Sequence, residues 1–293
     1  MRSPLSRESS QISLDLFERL VNPKLVTGIA RKTLDRYVAR RRKMQARRRG
    51  ETVSAETIKK DLRTIRAALT YAHEWGYLPV VPKMPKVDGF ESEKRFVLPE
   101  HFDAMLSHTG VAEHPANQGY EPGLWWDARL SLLWVAPNRI AAMLLLQWDD
   151  LDVEAGTITS QAADNKQKKR HRACVLEVVI EKLQLIRRFD PRIFPWENTR
   201  RTLYRQYHRI QQAAGIHLPC DGDHEHAESC HVYGFHDFRR SFATLNGELP
   251  VSFQQNQMGH SSYATTLKYV KFAEQQRTYA EQLHLPASMH KQA

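Results

Sequence analysis

The chain has 293 residues, 41% of them hydrophobic, which is enough to fold around a substantial core. Its net charge of +10 indicates a polyanionic partner, although net charge says nothing about fold. The longest apolar run, residues 130–148, is interrupted by a Pro-Asn-Arg triplet, which excludes a membrane span. No signal peptide is evident and three cysteines cannot form a closed disulfide framework, so a cytoplasmic location is expected.

The N-terminal part of the chain is polar and then strongly basic. Residues 1–11 are expected to be disordered. A helix is predicted from Arg31 to about Gln45, inside the stretch RKTLDRYVARRRKMQARRR, which holds ten Lys or Arg and one acid. Such a stripe suits the phosphates of DNA, although a solvated helix face or a localisation signal has the same composition. The candidate DNA contacts here are Arg40, Arg41, Arg42 and Lys43.

The next segment, residues 55–75, is predicted to be an amphipathic helix with a basic outer surface. Ser54 precedes it as an N-cap and Gly76 follows it. Its apolar residues recur every three or four positions: Ile58, Leu62, Ile65, Leu69, Ala72 and Trp75. Two further candidate DNA contacts on the basic surface are Arg63 and Arg66. Residues 12–78 are therefore predicted to form a small helical module.

Beyond this module the composition changes. Residues 79–98 are rich in proline and are predicted to be a linker, and a new helical pattern begins near Pro99. Helical patterns dominate from there on, whereas the stretches 151–160 and 173–180 are predicted to be strands. The fold class predicted for residues 99–293 is mainly α with a small antiparallel β-sheet, an α+β fold.

Arg139 stands in the otherwise apolar stretch WVAPNRIAAMLLLQW, where a guanidinium without an anionic partner would be costly. Asn138 is predicted to be an N-cap, so that Arg139 opens a helix at its positive end. A phosphate would suit this position, because a guanidinium can bind it through two hydrogen bonds. The alternative is an internal ion pair with Asp149, Asp150 or another carboxylate.

A second cluster lies in YGFHDFRRSFATL. Phe238, Phe242 and Leu245 have helical spacing and are expected to face the core, while His236 and Arg239 share another face. A histidine beside an arginine is a poor structural pair. It suits a phosphate that needs a proton acceptor and a positive charge together.

A third cluster lies in QNQMGHSSYATTLKYVKF. Gly259 is predicted to end one helix in a left-handed cap and Ser261 to cap the next. Tyr263, Leu267 and Val270 are expected to face the core from this second helix, so that Tyr269 points elsewhere and its hydroxyl is free to reach a site. Taken alone, this segment favours a helix-turn-helix DNA reader with an ordinary surface tyrosine.

Taken together, these clusters resemble the tyrosine recombinases, the phage integrase family. NRIAAMLLLQWDDLD resembles the family's first arginine box, and HDFRRSFAT and MGHSSYATTLKYV resemble its two C-terminal boxes. The resemblance covers roughly residues 25–275. It implies a helical core-binding (SAM-like) domain at residues 12–78 and an integrase-type catalytic domain at residues 99–293. It also implies site-specific recombination or integration of double-stranded DNA by a homotetramer.

The resemblance implies a role for each matching side chain. Tyr269 would be the nucleophile that forms a 3′-phosphotyrosine bond, and His236 would be its general base. Arg139 and Arg239 would hold the non-bridging oxygens, with His260 as a further donor. Because the covalent bond conserves the energy of the phosphoester, no cofactor is required for catalysis.

A lysine on the strand hairpin would protonate the leaving 5′-oxygen in this family. Lys166 matches that position best, with Lys168 and Lys169 as rivals. The chain also departs from the family pattern near Arg139. It has Pro137 before Asn138 in place of Gly-Leu, and Ala142 in place of an acid, which removes a carboxylate that supports the site but no catalytic group.

A second departure is the insertion-like segment HLPCDGDHEHAESCHVYGF. Its spacing C-x3-H-x-H-x3-C offers two thiolates and two imidazoles to a structural zinc, although it is not a common finger pattern. The candidate ligands are Cys220, His224, His226 and Cys230. A polar loop without metal has the same composition. A metal here would position His236 and Arg239 and take no part in the chemistry.

Two other functions remain open. A type IB topoisomerase-like enzyme would share the chemistry but only relax DNA, and a non-catalytic DNA-binding regulator could keep the integrase fold. The presence of Tyr269 argues against the regulator. The C-terminal tail EQQRTYAEQLHLPA, with Tyr279, Leu283 and Leu285, is expected to dock on a neighbouring subunit.

Overall fold

The computed structural model describes residues 4–46, 52–89, 95–161, 170–218, 231–246, 249–259 and 283–289. The chain divides into two compact units, Met1–Glu93 and Lys94–Ala293. Helices dominate both, and the second unit also contains a small antiparallel sheet, so the predicted fold class is confirmed. Over the described ranges, no helix combines the length and the apolarity needed to cross a membrane.

The described part of the first unit consists of helices that share one apolar core. They are α1 Pro4–Val21, α2 Arg31–Arg42 and α3 Ala55–Glu74, with a 3-10 turn at Val26–Gly28. The centre of the core contains Leu34, Tyr37, Ile58 and Ile65, which are almost completely buried. Each helix buries one face and leaves its charged residues outside, as expected for amphipathic helices.

The start of α1 differs from the sequence expectation. Residues 1–11 were expected to be disordered, but residues 4–11 form the first turns of this helix. Tertiary contacts explain the difference, because Ser13 Oγ donates to Asp61 Oδ1 at 2.8 Å and Phe17 is buried in the core. A helix held by packing extends into residues whose local propensity is modest.

The prediction for α3 is confirmed at both ends. Ser54 Oγ accepts a hydrogen bond from the Thr57 N–H at 3.3 Å, and Gly76 adopts a positive φ of 76° after the helix. The expected burial of Trp75 is wrong, since 61% of this residue is exposed. Trp75 follows the last helical residue, so the spacing of the helix no longer determines its direction.

The chain beyond α3 remains packed on the first unit for several residues. Leu78 and Val87 are buried in the first core, whereas Val97 is buried in the second. The division between the units, after residue 93, falls inside the segment 79–98 that was predicted to be a linker.

The described part of the second unit is built around the most apolar of the described helices, Pro122–Val135. Its helices are α4 Pro99–Ser107, α5 Pro122–Val135, α6 Ile140–Met143, α7 Glu177–Leu185, α8 Arg200–Ala213, α9 Phe235–Leu245 and α10 Val251–Met258. Further 3-10 turns are Thr109–Val111, Trp148–Asp150 and Ala287–Met289. Helix α5 is buried on nearly every side, which is typical of a helix at the centre of a domain.

The sheet contains β1 Leu151–Asp152, β2 Thr157–Ser160 and β3 His171–Cys174. The strands are antiparallel in the order β1-β2-β3, with Ile158 opposite both Leu151 and Ala173. The strand predicted at residues 173–180 is wrong after Cys174, because α7 begins at Glu177.

The physical reason lies in the spacing of the apolar residues in this segment. Val179, Ile180 and Leu183 are all buried. Positions separated by one, three and four residues share a face only in a helix, so tertiary burial overrides the strand propensity of the valine and isoleucine.

The tail from Leu283 packs on its own unit in this single chain. Leu283 and Met289 are buried in the second core. The Trp134 Nε1–H donates to the carbonyl of His284 at 2.9 Å, and the His284 N–H donates to Asn246 Oδ1 at 3.0 Å. Leu283 and Leu285, which were expected to dock on a neighbouring subunit, therefore pack on the core of the chain that carries them, whereas Tyr279 lies outside the described residues.

Candidate active site

The structure describes three of the predicted catalytic residues, Arg139, His236 and Arg239. The remaining catalytic candidates and all the candidate metal ligands lie outside the described residues. These are Lys166, His260, Tyr269, Cys220, His224, His226 and Cys230.

Arg139 lies in a tight connection between α5 and α6. Ala136 leaves the helix, and the Asn138 N–H donates to its carbonyl at 2.7 Å. Arg139 is then the N-cap of α6, with φ −64° and ψ 140°, and is partly exposed. The prediction that Asn138 caps the helix is wrong by one residue, because the main chain of Asn138 closes the turn and its side chain is buried.

Helix α6 is short and spans only Ile140–Met143. The main chain after it bonds to a distant segment instead of continuing the helix. The Ile193 N–H donates to the carbonyl of Leu146 at 2.8 Å, and the Trp148 N–H donates to that of Pro191 at 2.9 Å. Helix α6 is therefore a single turn, so an anion bound beside its positive end would be held mainly by side chains.

Asp150, one of the carboxylates considered as a partner for Arg139, serves the turn that follows α6. Its Oδ2 accepts from the Gln147 N–H at 2.9 Å and its Oδ1 accepts from Gln161 Nε2 at 2.5 Å. Asp150 is also buried. Its carboxylate therefore stabilises the turn that precedes β1.

Helix α9 carries both His236 and Arg239. Its first turn is capped by Asp237, whose Oδ2 accepts from the Gly234 N–H at 2.7 Å. Phe238 and Phe242 are buried as predicted, which directs this face of α9 into the core. His236 lies in the first turn and is exposed, whereas Arg239, one turn later, is only 3% exposed.

The guanidinium of Arg239 has hydrogen-bonding capacity that the described residues do not use. Its Nη1 donates to the carbonyl of Pro137, but Nε and Nη2 are buried and have no hydrogen-bond partner among the residues the structure describes. Burial and then the nearby charge of Arg139 lower the pKa of Arg239 to about 10. Arg239 therefore remains a buried cation at neutral pH, an arrangement that calls for an anion.

His236 lies in the field of the same charges. Partial desolvation of the imidazole, and then the charges of Arg239, Arg240 and Arg139, lower its pKa, while Asp237 opposes the shift. The imidazole is therefore neutral at pH 7 and can accept a proton. Arg139, His236 and Arg239 come from two segments about a hundred residues apart and interact electrostatically in one place.

The end of α10 confirms the predicted left-handed cap. Gly259 adopts φ 62° and ψ 46° after Met258. A Cβ atom at this glycine would lie 3.1 Å from the ring of His171, the first residue of β3, and His171 Nε2 also contacts the carbonyl of Asn256. The end of the strand hairpin therefore packs against the helix that leads to His260.

The candidate DNA contacts of the first unit differ in exposure. Those whose side chains face solvent are Arg40, Arg42, Lys43, Arg63 and Arg66. Arg41 instead points inward, where its Nε donates to Asp61 Oδ2 at 3.0 Å. Asp61 is buried and also accepts from the hydroxyl of Tyr37 at 3.0 Å. The carboxylate partner of Arg41 was not identified from the sequence.

Sequence reasoning also missed Arg129 on α5, which is completely buried. Its guanidinium lies over the rings of Trp125, Phe235, Phe194 and Trp126, at 4.9, 5.3, 5.8 and 6.0 Å. None of its three nitrogens has a hydrogen-bond partner in the described part of the chain. Burial lowers its pKa to about 9. The signal in the sequence was a cation inside the almost uniformly apolar helix PGLWWDARLSLLWV.

Few side chains that could bind a metal lie close together among the described residues. The described ranges contain no group of three or more His, Cys, Asp or Glu that could hold a metal ion. His208 stacks on His231 with ring centroids 4.0 Å apart, and an antiparallel bridge joins His217 to His231. This bridge brings together the two ends of the segment that contains the four candidate zinc ligands.

Comparison with known proteins gives a family match and structural neighbours. The family model described as "Phage integrase family" matches residues 122–276, more than half of the chain. Among curated proteins, no match is found.

Three of the similar solved structures are integrases in complex with DNA. A lambda integrase dimer bound to a COC' core site has a TM-score of 0.62 and 14% identity, over 93% of each chain. A lambda integrase tetramer bound to a Holliday junction has a TM-score of 0.64 and 15% identity, over 92% of this chain and 75% of that one. The Tn1549 transposon integrase with circular intermediate DNA has a TM-score of 0.62 and 16% identity, over 97% and 94%. At such identities the likeness shows the fold alone.

Proposed function

Because the chain belongs to the phage integrase family, whose members are tyrosine-type site-specific recombinases, we propose that it cuts and rejoins DNA strands through a covalent 3′-phosphotyrosine intermediate. The observation that carries this proposal best is the environment of Arg239. A buried guanidinium, two of whose nitrogens have no hydrogen-bond partner among the described residues, lies in the field of a second arginine and of a neutral histidine.

A scissile DNA phosphate fits this environment. The phosphodiester carries one negative charge on two non-bridging oxygens, which Arg139 and Arg239 would each hold. As the tyrosine oxygen approaches phosphorus, charge on these oxygens increases and the two guanidinium groups stabilise it. Because Arg239 is already dehydrated and bonded to Pro137, little reorganisation is needed when the phosphate binds.

The proposed reaction conserves the phosphodiester. The hydroxyl oxygen of Tyr269 attacks phosphorus, the bond from phosphorus to the 5′-oxygen breaks, and the 3′ end becomes linked to the enzyme. His236 removes the tyrosine proton, which is needed because a phenol titrates near pH 10. Lys166 gives a proton to the leaving 5′-oxygen and His260 is a further donor to the phosphate. Attack by a 5′-hydroxyl of the partner strand reverses these steps.

We propose double-stranded DNA as the partner, contacted both by a core-binding domain at residues 12–78 and by a catalytic domain at residues 99–293, with residues 79–98 as the linker. The exposed basic residues of the first unit support phosphate contacts there. Arg41 is the exception, because Asp61 already neutralises it. The lambda integrase tetramer on a Holliday junction supports a homotetramer as the active assembly of this chain.

We also propose a structural zinc held by Cys220, His224, His226 and Cys230. The bridge between His217 and His231 supports it, because it brings together the ends of the loop that carries the ligands. Metal analysis of protein purified without a His tag should give about one zinc per chain. Less than about a tenth of an equivalent would rule the site out.

The proposed reaction can be tested with a nicked suicide duplex. Its sequence would be selected from a random library by rounds of binding to the protein, since base readout cannot be inferred from the sequence. We expect the wild-type chain, but not Tyr269→Phe, to form a protein–DNA adduct that survives denaturation. Both proteins should bind the duplex equally, because a phenyl ring keeps the shape of the side chain. Absence of an adduct on DNA that the protein binds would leave a non-catalytic regulator as the function.

The type IB topoisomerase alternative needs a separate assay, because it predicts the same adduct. Two-site recombination and supercoil relaxation would be measured on plasmids carrying the selected sequence. Recombinant products are expected from the wild-type chain. Relaxation alone would favour the topoisomerase.

A further inference from the structure

Gln257, near the end of α10, has a side-chain amide that is wholly buried and engaged at both ends. Its Oε1 accepts from the Cys174 N–H at 2.6 Å, while its Nε2 donates to the carbonyls of Cys174 at 3.0 Å and Val135 at 2.8 Å. All three bonds end on the main chain of other segments. Because a satisfied buried network favours one arrangement over others, this amide fixes α10, the end of β3 and the end of α5 relative to one another.

Each of these three segments adjoins, along the chain, a proposed catalytic residue. Val135 is the last residue of α5 and lies four positions before Arg139. Cys174 ends β3, the strand that follows the lysine-bearing hairpin. Gln257 itself lies three positions before His260. The bonds join residues 83 and 122 positions apart, so nothing local in the sequence enforces this geometry.

The contact with Val135 has a particular physical role. The last carbonyls of a helix have no partner within the helix, and Gln257 Nε2 satisfies one of them at the end of α5. Two residues later Arg239 donates to the carbonyl of Pro137. The main chain that approaches Arg139 is therefore held at two successive points, one by Gln257 and one by the proposed catalytic Arg239.

We infer that Gln257 is a positioning residue for DNA cleavage, which sets the place of Arg139 relative to β3 and α10 through its amide. This inference rests on the proposed function. Gln257 touches no reacting atom, and its effect is carried by the main chain of Val135. A displacement of about 1 Å at a reacting group can lower a rate about 100-fold, so a buried amide can matter without contacting DNA.

Two substitutions remove different sets of the hydrogen bonds that this amide makes. Gln257→Met is similar in length and removes all three. Gln257→Glu keeps the bond from the Cys174 N–H, but an ionised carboxylate donates to neither carbonyl and a protonated one donates to only one of them. A matched control is Gln206→Met, because Gln206 is equally buried and its Oε1 accepts from the Glu113 N–H at 2.8 Å. That bond joins α8 to a segment that carries no proposed catalytic residue.

The experiment measures the single-turnover rate of adduct formation on the selected nicked duplex at saturation, together with the Kd for that duplex and the melting temperature. For Gln257→Met and Gln257→Glu we expect the rate to fall at least about tenfold, with Kd within about threefold of wild type. Gln206→Met should lower the melting temperature while its rate stays within about twofold below that temperature.

A double-mutant cycle with Arg139→Lys distinguishes positioning from general damage to the core. If Gln257 acts through Arg139, the double variant should be less than about threefold slower than Arg139→Lys alone. Additive losses, or wild-type rates in folded Gln257 variants, would overturn the inference. If Gln257→Met does not fold, Gln257→Glu carries the same test. If the wild-type chain forms no adduct, the proposed function itself is wrong and this inference falls with it. If the wild-type chain forms the adduct and the folded Gln257 variants react equally fast, only this inference is wrong.

Discussion

Arg239 donates a hydrogen bond through Nη1 to the main-chain carbonyl of Pro137, two residues before Arg139. One arginine of the site thus binds the loop that carries the other. Their positive charges repel each other, and this repulsion lowers the pKa of Arg239 further below its usual range. The arrangement is costly without an anion and becomes favourable when a phosphate is shared between them.

Arg239→Lys is expected to abolish most cleavage although it keeps the positive charge. A lysine cannot supply the planar fork that reaches both Pro137 and a phosphate oxygen, so the adduct rate should fall about 100-fold or more. The adjacent Arg240 provides the control, since it pairs with Asp237 on a partly exposed face. Arg240→Lys should stay within about twofold of wild type at pH 8. Similar rates for the two variants would contradict the assigned role.

The pH dependence of cleavage should follow the low pKa of His236. A general base must be neutral, and burial together with the neighbouring arginines disfavours the imidazolium form. The adduct rate should therefore stay level as the pH falls from 8 and decline only below about 6.5, the usual histidine pKa. Arg240→Gln removes one positive charge and should move this decline to higher pH. A decline centred above pH 6.5 in the wild-type chain would refute the assignment.

Salt dependence of DNA binding should separate exposed from paired arginines in the first unit. Arg63→Gln and Arg66→Gln are each expected to reduce the slope of log Kobs against log salt by about 1, as one phosphate contact is lost. Arg41→Gln should leave the slope unchanged but lower the free energy of unfolding by about 3 kcal/mol, because Asp61 loses its buried counter-charge. Urea unfolding and binding titrations check both. A reduced slope for Arg41→Gln would mean that this side chain contacts DNA.

Arg129 should be replaceable by an apolar residue of similar length. Its desolvation costs several kcal/mol, and contacts with four aromatic rings return a comparable amount, so Arg129→Met should not lower the melting temperature. Arg129→Ala instead leaves a cavity beside Trp125 and Phe235 and should cost about 3 kcal/mol, or roughly 6–12 °C for a unit of this size. A loss in Arg129→Met as large as in Arg129→Ala would indicate an anionic partner for Arg129.

Helix ends and local motifs were predictable because they depend on neighbouring residues. The Ser54 cap requires only a hydroxyl before a helical pattern, and the Gly259 cap requires only a residue that tolerates positive φ. The error at residues 173–180 has the opposite origin. There the local preference of valine and isoleucine for strands conflicted with burial in the core, and burial prevailed.

The sequence by itself determined the family and the fold class, since both follow from patterns that extend over a few helical turns. It also identified Arg139, His236 and Arg239 as candidates. Only the tertiary structure decided that Arg239 is buried while His236 is exposed, that Arg41 is held by Asp61, and that Gln257 joins three segments. Contacts of this kind join residues 20 to 122 positions apart. The spacing along a single helix carries no information about what packs against it, so burial and pairing became visible only when the chain was folded.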